Sequence, residues 1–194
     1  MQTNLWFQII VLYLCGSIPF GIIASYLFKT ADPRTIGSGN IGATNMLRTG
    51  NKASAIFTLV GDALKAWLPL YLLHDVLYSD LFYLVPVLGH MFPVWLNFKG
   101  GKGVASALGA LMAYDPMVAL LSMGVFIVIA VLSRYASLAS IGASIFAPSF
   151  VCYQTNFFHG RWLILLAILI IIAHRENVTR LIQGTEKRFG QKKE

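Results

Sequence analysis

The chain has 194 residues, of which 57% are hydrophobic and 12% are charged, and its formal net charge is +7. Soluble domains are ~45–50% apolar and ~25% charged, so a soluble globule of this size could not cover so much apolar surface. The composition excludes a soluble enzyme, a disordered protein and a disulfide scaffold, and it indicates a polytopic membrane protein. Whether the positive charge reflects nucleic-acid binding depends on where the charges lie.

Seven apolar runs follow one another along the chain. A helical crossing takes about 20 residues, and only the first three runs approach that length. The other four are short and would need an end sunk below the membrane surface, shielded by protein. The first run lacks the basic n-region of a cleaved signal peptide, so we expect it to be a span. The runs cover residues 5–28, 53–73, 81–98, 104–114, 117–132, 138–153 and 162–173.

The basic residues lie in alternate connections between these runs. All but Lys65 and Arg161 of the 15 Lys and Arg residues fall in such connections or in the C-terminal tail. This positive-inside asymmetry predicts an all-α protein with seven transmembrane helices, its N-terminus outside and its C-terminus in the cytoplasm. It explains the net charge without nucleic acid. We expect one membrane domain over residues 1–186 and a basic tail over residues 187–194 that lies against anionic lipid.

The connection after the first run contains a glycine-rich loop, residues 37–48, with the sequence GSGNIGATNMLR. It matches the GxGxxG fingerprint, but that fingerprint needs a preceding strand and here a membrane span precedes it. Small residues still let backbone N–H groups cradle an anion, and a helix N-terminus after them would add a favourable dipole. The pattern predicts an anion site, with a flexible linker as the alternative. Its side-chain donors are Asn40, Thr44, Asn45 and Arg48.

A second candidate anion site is the lysine–glycine loop, residues 99–103, which reads Lys-Gly-Gly-Lys-Gly. It is not a Walker A loop, because Gly103 rather than Ser or Thr follows Lys102. Glycines at a span boundary let a ligand or another backbone come close. We expect the loop to dip into the bilayer with a helix N-terminus aimed at the site. The alternative is that Lys99 and Lys102 only anchor the span.

Other polar residues lie inside or at the ends of the runs. His174 and Asn177 are three residues apart at the end of the last run and should share a helix face. Asp62 and Lys65 have the same spacing inside the second run, which predicts a fold-specifying ion pair, with substrate contact as the alternative. His90 lies inside the third run and should be functional or hydrogen-bonded within the bundle.

Two phosphate-type sites at lipid depth suggest lipid chemistry on phosphate-bearing substrates. The sequence has no DDxxD carboxylate cluster, no HxxxxD motif and no GxSxG elbow, so we expect no metal and no acyl-serine intermediate. An anion or phosphate transporter with glycine loops at half-helices is the alternative, although the sequence shows no internal repeat. A non-catalytic scaffold is disfavoured by the polar clusters.

Four segments, GSGNIGATNMLR, GHMFPVWLNFKGGKGVASALG, SLASI and HRENVTRLIQGTE, resemble the acyl-phosphate:glycerol-3-phosphate acyltransferases of bacterial inner membranes. The resemblance runs from the first span to about Glu186, and it departs from the family pattern at Ser106 and Val178. It implies transfer of a fatty acyl group from acyl phosphate to the 1-hydroxyl of glycerol 3-phosphate. The products would be lysophosphatidic acid and phosphate, in the first step of phospholipid synthesis. It implies that no CoA, carrier protein or metal is needed. We also expect no cofactor and a monomer, and the charge distribution predicts an active site on the cytoplasmic side.

Residue types and resemblance together suggest how the substrates bind. We expect Ser38, Lys102 and His174 to be catalytic. His174 is the best candidate for a general base, but the resemblance favours a substrate phosphate as the proton acceptor, with His174 orienting substrate. The acyl-phosphate residues are expected to be Gly39, Asn40, Gly42, Thr44, Asn45, Lys99 and Gly101. The glycerol-3-phosphate residues are expected to be Arg48, Lys102, Ser140, His174 and Asn177.

Overall fold

The computed structural model describes residues 4–77, 79–155 and 157–189. Within these ranges the regular elements are helices joined by turns and 3₁₀ segments, which confirms the all-α prediction. The α-helices are α1 (Leu5–Ser17), α2 (Phe20–Leu27), α3 (Ala43–Met46), α4 (Lys52–Leu73), α5 (Val85–Met91), α6 (Val104–Tyr114), α7 (Pro116–Ser133), α8 (Ala136–Gln154), α9 (Phe157–Ala173) and α10 (Arg175–Ile182).

Four helical stretches are long and apolar enough to cross a membrane. They are Leu5–Leu27, Lys52–Leu73, Pro116–Ser133 and Ala136–Gln154. A fifth candidate is the bent pair Gly160–Ala173 and Arg175–Ile182, whose axes differ by 60°. Large apolar side chains such as Val131 and Leu132 stay exposed on these helices, as a lipid environment allows. The chain is therefore an integral membrane protein.

The lengths of several runs differ from the prediction. The third run is not one long continuous helix, because α5 ends at Met91 and the apolar helical stretch Asp80–Leu96 is shorter than the four long ones. Pro93 explains the interruption, since proline lacks an N–H and disfavours helical backbone before it. The fifth and sixth runs were expected to be short, and this is wrong. Helices α7 and α8 have 18 and 19 residues because small and polar residues extend them beyond the apolar core.

The chain forms two compact units, of which the first is Met1–Asp115. In it α4 packs against α6, α2, α3 and α1, and α1 packs against α5. Glycines allow the close approach. A Cβ added at Gly109 would lie 2.9 Å from the carbonyl carbon of Ala63, and one at Gly89 would lie 2.9 Å from the nitrogen of Ser17. Small residues at such crossings are typical of membrane helices, which associate by close packing.

The second unit is Pro116–Glu194, in which α8 packs against both α7 and α9, and α10 against α9. The turn between α7 and α8 contains Arg134 in the left-handed region, with φ of 63°. The Phe189 N–H donates to the Arg134 carbonyl at 2.8 Å, and the Arg134 guanidinium donates to the Phe189 carbonyl at 3.1 Å. The first residues of the predicted tail thus lie on this turn, and residues 190–194 of that tail are outside the described residues.

Candidate functional site

The glycine-rich loop is held together by the buried side chain of Asn45. Its Nδ2 donates to the carbonyl oxygens of Pro33, Ile36 and Asn40 at 2.7, 3.1 and 2.8 Å. Its Oδ1 accepts the Ser38 N–H at 3.0 Å. Both ends of the amide are therefore committed to the loop. Asn45 gives the loop its shape rather than offering a donor to a ligand.

Backbone N–H groups expected to cradle an anion also bond within the loop. The Gly39 N–H donates to the Ile36 carbonyl at 2.9 Å, and the Gly42 N–H donates to Asn40 Oδ1 at 2.8 Å. Gly39 has φ of 70°, which explains the requirement for glycine there. The following helix, α3, has only four residues, so its dipole adds less than expected.

The exposed side of the glycine-rich loop carries Ser38, Thr44 and Arg48. Arg48 lies close to Gly37, where an added Cβ would be 2.8 Å from the guanidinium Nη1. Two hydroxyls and a guanidinium on one short loop are groups that bind phosphate oxygens well.

Asp32 and Arg34, which precede this loop, form an ion pair that the sequence analysis did not single out. Arg34 Nη2 lies 2.6 Å from Asp32 Oδ2, and Arg34 Nε lies 3.0 Å from Asp32 Oδ1. These hydrogen bonds lower the pKa of the Asp32 carboxyl below its ordinary value. The pair neutralises an acidic residue next to the candidate anion site.

The lysine–glycine loop lies against the C-terminal end of α5. The Gly100 N–H donates to the Met91 carbonyl and the Gly101 N–H donates to the His90 carbonyl, both at 3.1 Å. These two glycines therefore serve the close approach of backbone to α5, and their N–H groups bond within the protein. Lys99 is exposed and Lys102 is half-buried. Helix α6 begins directly after this loop, as predicted, so its positive dipole end lies beside Lys102.

Asp62 and Lys65 form the expected ion pair, with Lys65 Nζ 2.7 Å from Asp62 Oδ1. His90 Nδ1 lies 2.9 Å from Lys65 Nζ. His90 is therefore hydrogen-bonded within the bundle, one of the two roles expected for it. All three side chains are almost completely buried.

In the second unit His174 lies at the bend between α9 and α10 and is the N-cap residue of α10. Its Nδ1 lies 2.8 Å from the Ile170 carbonyl oxygen, which can only accept, so Nδ1 carries a proton. Asn177 lies in the first turn of α10. The two residues therefore flank the start of α10 rather than sharing the end of α9, because the chain turns at His174. Both side chains are buried.

Glu186 joins three residues of the second unit. It accepts hydrogen bonds from Ser137 Oγ at 2.8 Å, Asn177 Nδ2 at 2.6 Å and Arg180 Nε at 2.7 Å. Burial alone would raise the pKa of this carboxyl, but the hydrogen bonds outweigh burial and hold the pKa below its ordinary value. Residue type and spacing alone assign no role to Ser137 or Glu186. Their only sequence signal is that both lie inside segments that carry the family resemblance.

Ser140 and Glu176 make weaker contributions within this unit. Ser140 Oγ donates to the Ala136 carbonyl at 2.8 Å, one turn earlier in α8. Glu176 lies 4.0 Å from Arg175 and 3.9 Å from Arg180 and is exposed, so its pairing with these two residues is loose. Among the described residues, no group of three or more His, Cys, Asp or Glu side chains could hold a metal ion.

Comparisons with known proteins agree with one another. The sequence model of the family described as glycerol-3-phosphate acyltransferase matches residues 6–184. A glycerol-3-phosphate acyltransferase of Bordetella pertussis (strain Tohama I) is 46% identical, over 95% of this chain and 92% of that protein. One of Dechloromonas aromatica (strain RCB) is 45% identical, over 95% of this chain and 96% of that protein.

Two solved structures are also similar. A crystal structure of PlsY (YgiH), an integral membrane glycerol 3-phosphate acyltransferase, in its glycerol 3-phosphate form superposes with a TM-score of 0.89. It is 42% identical, and the match covers 95% of each chain. The lysophosphatidic acid form of PlsY gives a TM-score of 0.87 at the same identity and coverage.

Asn45→Asp should open the glycine-rich loop, because a carboxylate cannot donate to the three carbonyls that Nδ2 serves. The Ile36 carbonyl keeps the Gly39 N–H, but the Pro33 and Asn40 carbonyls lose the donor described above, which costs about 1–3 kcal/mol for a buried group, so we expect faster trypsin cleavage after Arg34 and Arg48. Asn40→Asp is the matched control, since its Oδ1 only accepts from the Gly42 N–H. Equal cleavage rates for the two variants would contradict the role given to Asn45.

The pKa of Glu186 predicts a pH dependence of stability. A carboxyl whose pKa is lowered by folding stabilises the protein above its unfolded pKa, ~4.3 for Glu, and loses that contribution as pH falls through the folded value. The melting temperature of Glu186→Gln should therefore lie below that of the wild type at pH 6 and above, and the two should converge on acidification below pH ~4. Glu176→Gln, at an exposed and loosely paired carboxylate, should match the wild type throughout. A constant gap between Glu186→Gln and wild type at all pH values would contradict the prediction.

Proposed function

Since the chain belongs to the glycerol-3-phosphate acyltransferase family, we propose that it acylates glycerol 3-phosphate to lysophosphatidic acid with acyl phosphate as the donor. The observation that carries the proposal is the glycine-rich loop. Asn45 fixes its backbone, and Ser38, Thr44 and Arg48 are exposed on it between two membrane helices. A soluble phosphate and a lipid-borne phosphate can both reach such a loop. The glycerol 3-phosphate and lysophosphatidic acid forms of the similar PlsY support this assignment.

Seven crossings complete the proposed topology. The shorter apolar elements Asp80–Leu96 and Val104–Tyr114 add two crossings to the four long stretches and the bent pair. An odd number of crossings puts the termini on opposite sides. The Lys and Arg distribution puts the C-terminus in the cytoplasm, so the N-terminus is outside. The enzyme acts in the bacterial inner membrane as a monomer, with its site on the cytoplasmic side.

The reaction requires charge stabilisation more than an activated nucleophile, because acyl phosphate is already an activated mixed anhydride. The 1-hydroxyl oxygen of glycerol 3-phosphate attacks the acyl carbon and forms a tetrahedral oxyanion. Its C–O bond to phosphate then breaks, and phosphate leaves with the electron pair. The hydroxyl proton passes to an oxygen of a substrate phosphate. Lys102 stabilises the oxyanion, a contribution typically of ~10²–10³ in rate.

Each substrate has its own group of residues in this proposal. Ser38, Thr44 and Lys99 bind the donor phosphate through their side chains. Gly39, Asn40, Gly42, Asn45 and Gly101 give the two loops the shape that this binding needs. Glycerol 3-phosphate is bound by Arg48, Lys102, Ser140, His174 and Asn177.

His174 orients the glycerol 3-phosphate hydroxyl in this proposal. Its Nδ1–H is bonded to the Ile170 carbonyl, so in the neutral ring the acceptor lone pair is on Nε2. This fixed tautomer suits a residue that holds a hydroxyl in place.

Purified protein in detergent should form lysophosphatidic acid from acyl phosphate and glycerol 3-phosphate, without CoA and without change on adding a chelator. Arg48→Ala should lower kcat/KM for glycerol 3-phosphate about 10- to 100-fold, which corresponds to ~1.5–3 kcal/mol for a charge-assisted hydrogen bond. Lys52→Ala, which removes a nearby exposed lysine, should stay within about twofold of the wild type. Failure to form product, a CoA requirement, or movement of substrate across vesicles without acylation would overturn the proposal. The last outcome would favour an anion transporter.

The pH profile of His174→Ala separates the orienting role from that of a base. If His174 orients substrate, the variant should have a raised KM for glycerol 3-phosphate and keep the wild-type shape of kcat against pH. A protein base would instead give a wild-type inflection near pH ~6.5, the ordinary value for histidine, that disappears in His174→Ala with KM unchanged. That second result would contradict the orienting role.

A further inference from the structure

The proposed mechanism gives no role to a buried charged cluster in the first unit, which consists of Asp62, Lys65 and His90. The Lys65 ammonium has three protons and three acceptors, which are Asp62 Oδ1 at 2.7 Å, the Ile18 carbonyl at 2.7 Å and His90 Nδ1 at 2.9 Å. An ammonium can only donate, so Nδ1 of His90 accepts and the ring proton of the neutral imidazole is on Nε2. The Lys65, Asp62 and His90 side chains are only 1%, 2% and 3% exposed. Three such groups are costly to bury among apolar helices, and each helps to satisfy the others.

The other edge of the His90 ring lies against the lysine–glycine loop. A Cβ added at Gly101 would collide with Nε2 and would lie 2.8 Å from Cε1 of His90. The Gly101 N–H also donates to the His90 carbonyl at 3.1 Å. His90 thus contacts Gly101, the residue immediately before Lys102, through both its side chain and its backbone carbonyl.

A second anchor lies just after Lys102. Ser106 Oγ, in the first turn of α6, donates to the Asp62 carbonyl at 2.9 Å, and Ser106 is fully buried. Lys102 is therefore held between two attachments, Gly101 on His90 and Ser106 on Asp62. Both attachments lead to the cluster of Asp62, Lys65 and His90. The position of the Lys102 backbone follows the position of this cluster.

His90 itself is too enclosed to act on a substrate. Its Nδ1 is bonded to Lys65, its Nε2 faces the backbone of Gly101, and the side chain is 3% exposed. Any effect of His90 on the reaction has to pass through the loop. The reacting groups must be held to within about 1 Å, since a misplacement of that size can cost about 10²-fold in rate.

We propose that Asp62, Lys65 and His90 are positioning residues: they fix the backbone on either side of Lys102 and so set where its ammonium meets the substrate phosphates. This inference rests on the acyltransferase function proposed above. It assigns a positioning role to a cluster that would otherwise act only as a fold-specifying ion pair. A purely structural cluster would affect all steps alike. A positioning cluster loses its effect when Lys102 is absent.

A double-mutant cycle with His90→Leu and Lys102→Met tests this difference through kcat/KM for lysophosphatidic acid formation. With Lys102 present, His90→Leu should lower kcat/KM about 10²-fold. In the Lys102→Met background the same change should alter kcat/KM by no more than about twofold, because the group that His90 positions is gone. His90→Asn, whose Oδ1 can still accept from Lys65 Nζ, should recover most of the loss.

His74→Leu is the matched control, because His74 Nδ1 is also hydrogen-bonded, 2.9 Å from the Tyr83 hydroxyl, but directly after the C-terminal end of α4, whereas Asp62 and Lys65 lie within that helix. It should stay within about twofold of the wild type. If His90→Leu does not fold, Gly101→Ala replaces it in the cycle. The Cβ of Gly101→Ala moves the loop off His90, and its loss should likewise vanish in Lys102→Met.

Three results would overturn the inference. They are unchanged activity in His90→Leu, equal losses in both Lys102 backgrounds, and equal losses for His74→Leu and His90→Leu. Each of these outcomes leaves the proposed function standing, because the wild type forms lysophosphatidic acid in all of them. If the wild type itself forms none, the proposed function fails and this inference fails with it.

Discussion

Polar groups buried among apolar helices need partners inside the protein, because hydrocarbon offers no hydrogen bonds. The Lys65 ammonium meets this requirement fully, because each of its three protons has an acceptor. Its three donors reach a carboxylate on its own helix, a backbone carbonyl at the break between α1 and α2, and the imidazole of α5. The break between α1 and α2 and the helix α5 are thereby both fixed to α4 at one atom. The lysine–glycine loop, which carries Lys102, packs against the His90 imidazole. The contacts of the first unit therefore extend from a single buried charge, the Lys65 ammonium.

The glycines of the two candidate loops stabilise the protein's own structure, and they need no bound ligand to do so. The N–H groups of Gly39, Gly42, Gly100 and Gly101 all bond to acceptors of the protein itself. A loop whose backbone is satisfied keeps its shape when no anion is bound. Binding then depends on the side chains that the loop presents, hydroxyls on the first loop and lysines on the second. A loop backbone preorganised in this way loses little freedom when a substrate phosphate arrives.

Hydropathy was enough to predict the all-helical fold and the bounds of α6, and it placed the start of α4 within one residue. It failed where a single residue decides, as at Pro93, which interrupts the third run, and at His174, where the chain bends. The family resemblance marked the loops but not how they are held. Glu186 could not be found from spacing, because its partner Ser137 lies 49 residues away in sequence. The role of such a carboxylate depends on tertiary contacts, which the hydropathy pattern of the sequence does not reveal.

The proposed function, in which two phosphates bind next to lipid, requires control of the negative charges of the protein as well as a supply of cations. Asp32, Asp62 and Glu186 lie near candidate site residues, and each is within 2.7 Å of a cationic nitrogen of its own unit. An unpaired carboxylate there would repel a phosphate strongly, because screening is weak in a low-dielectric setting. The carboxylate of Glu186 instead holds Asn177 in place, and that of Asp62 holds Lys65. The excess of basic residues in this chain can then act on anions, and the acidic residues beside them act as structure.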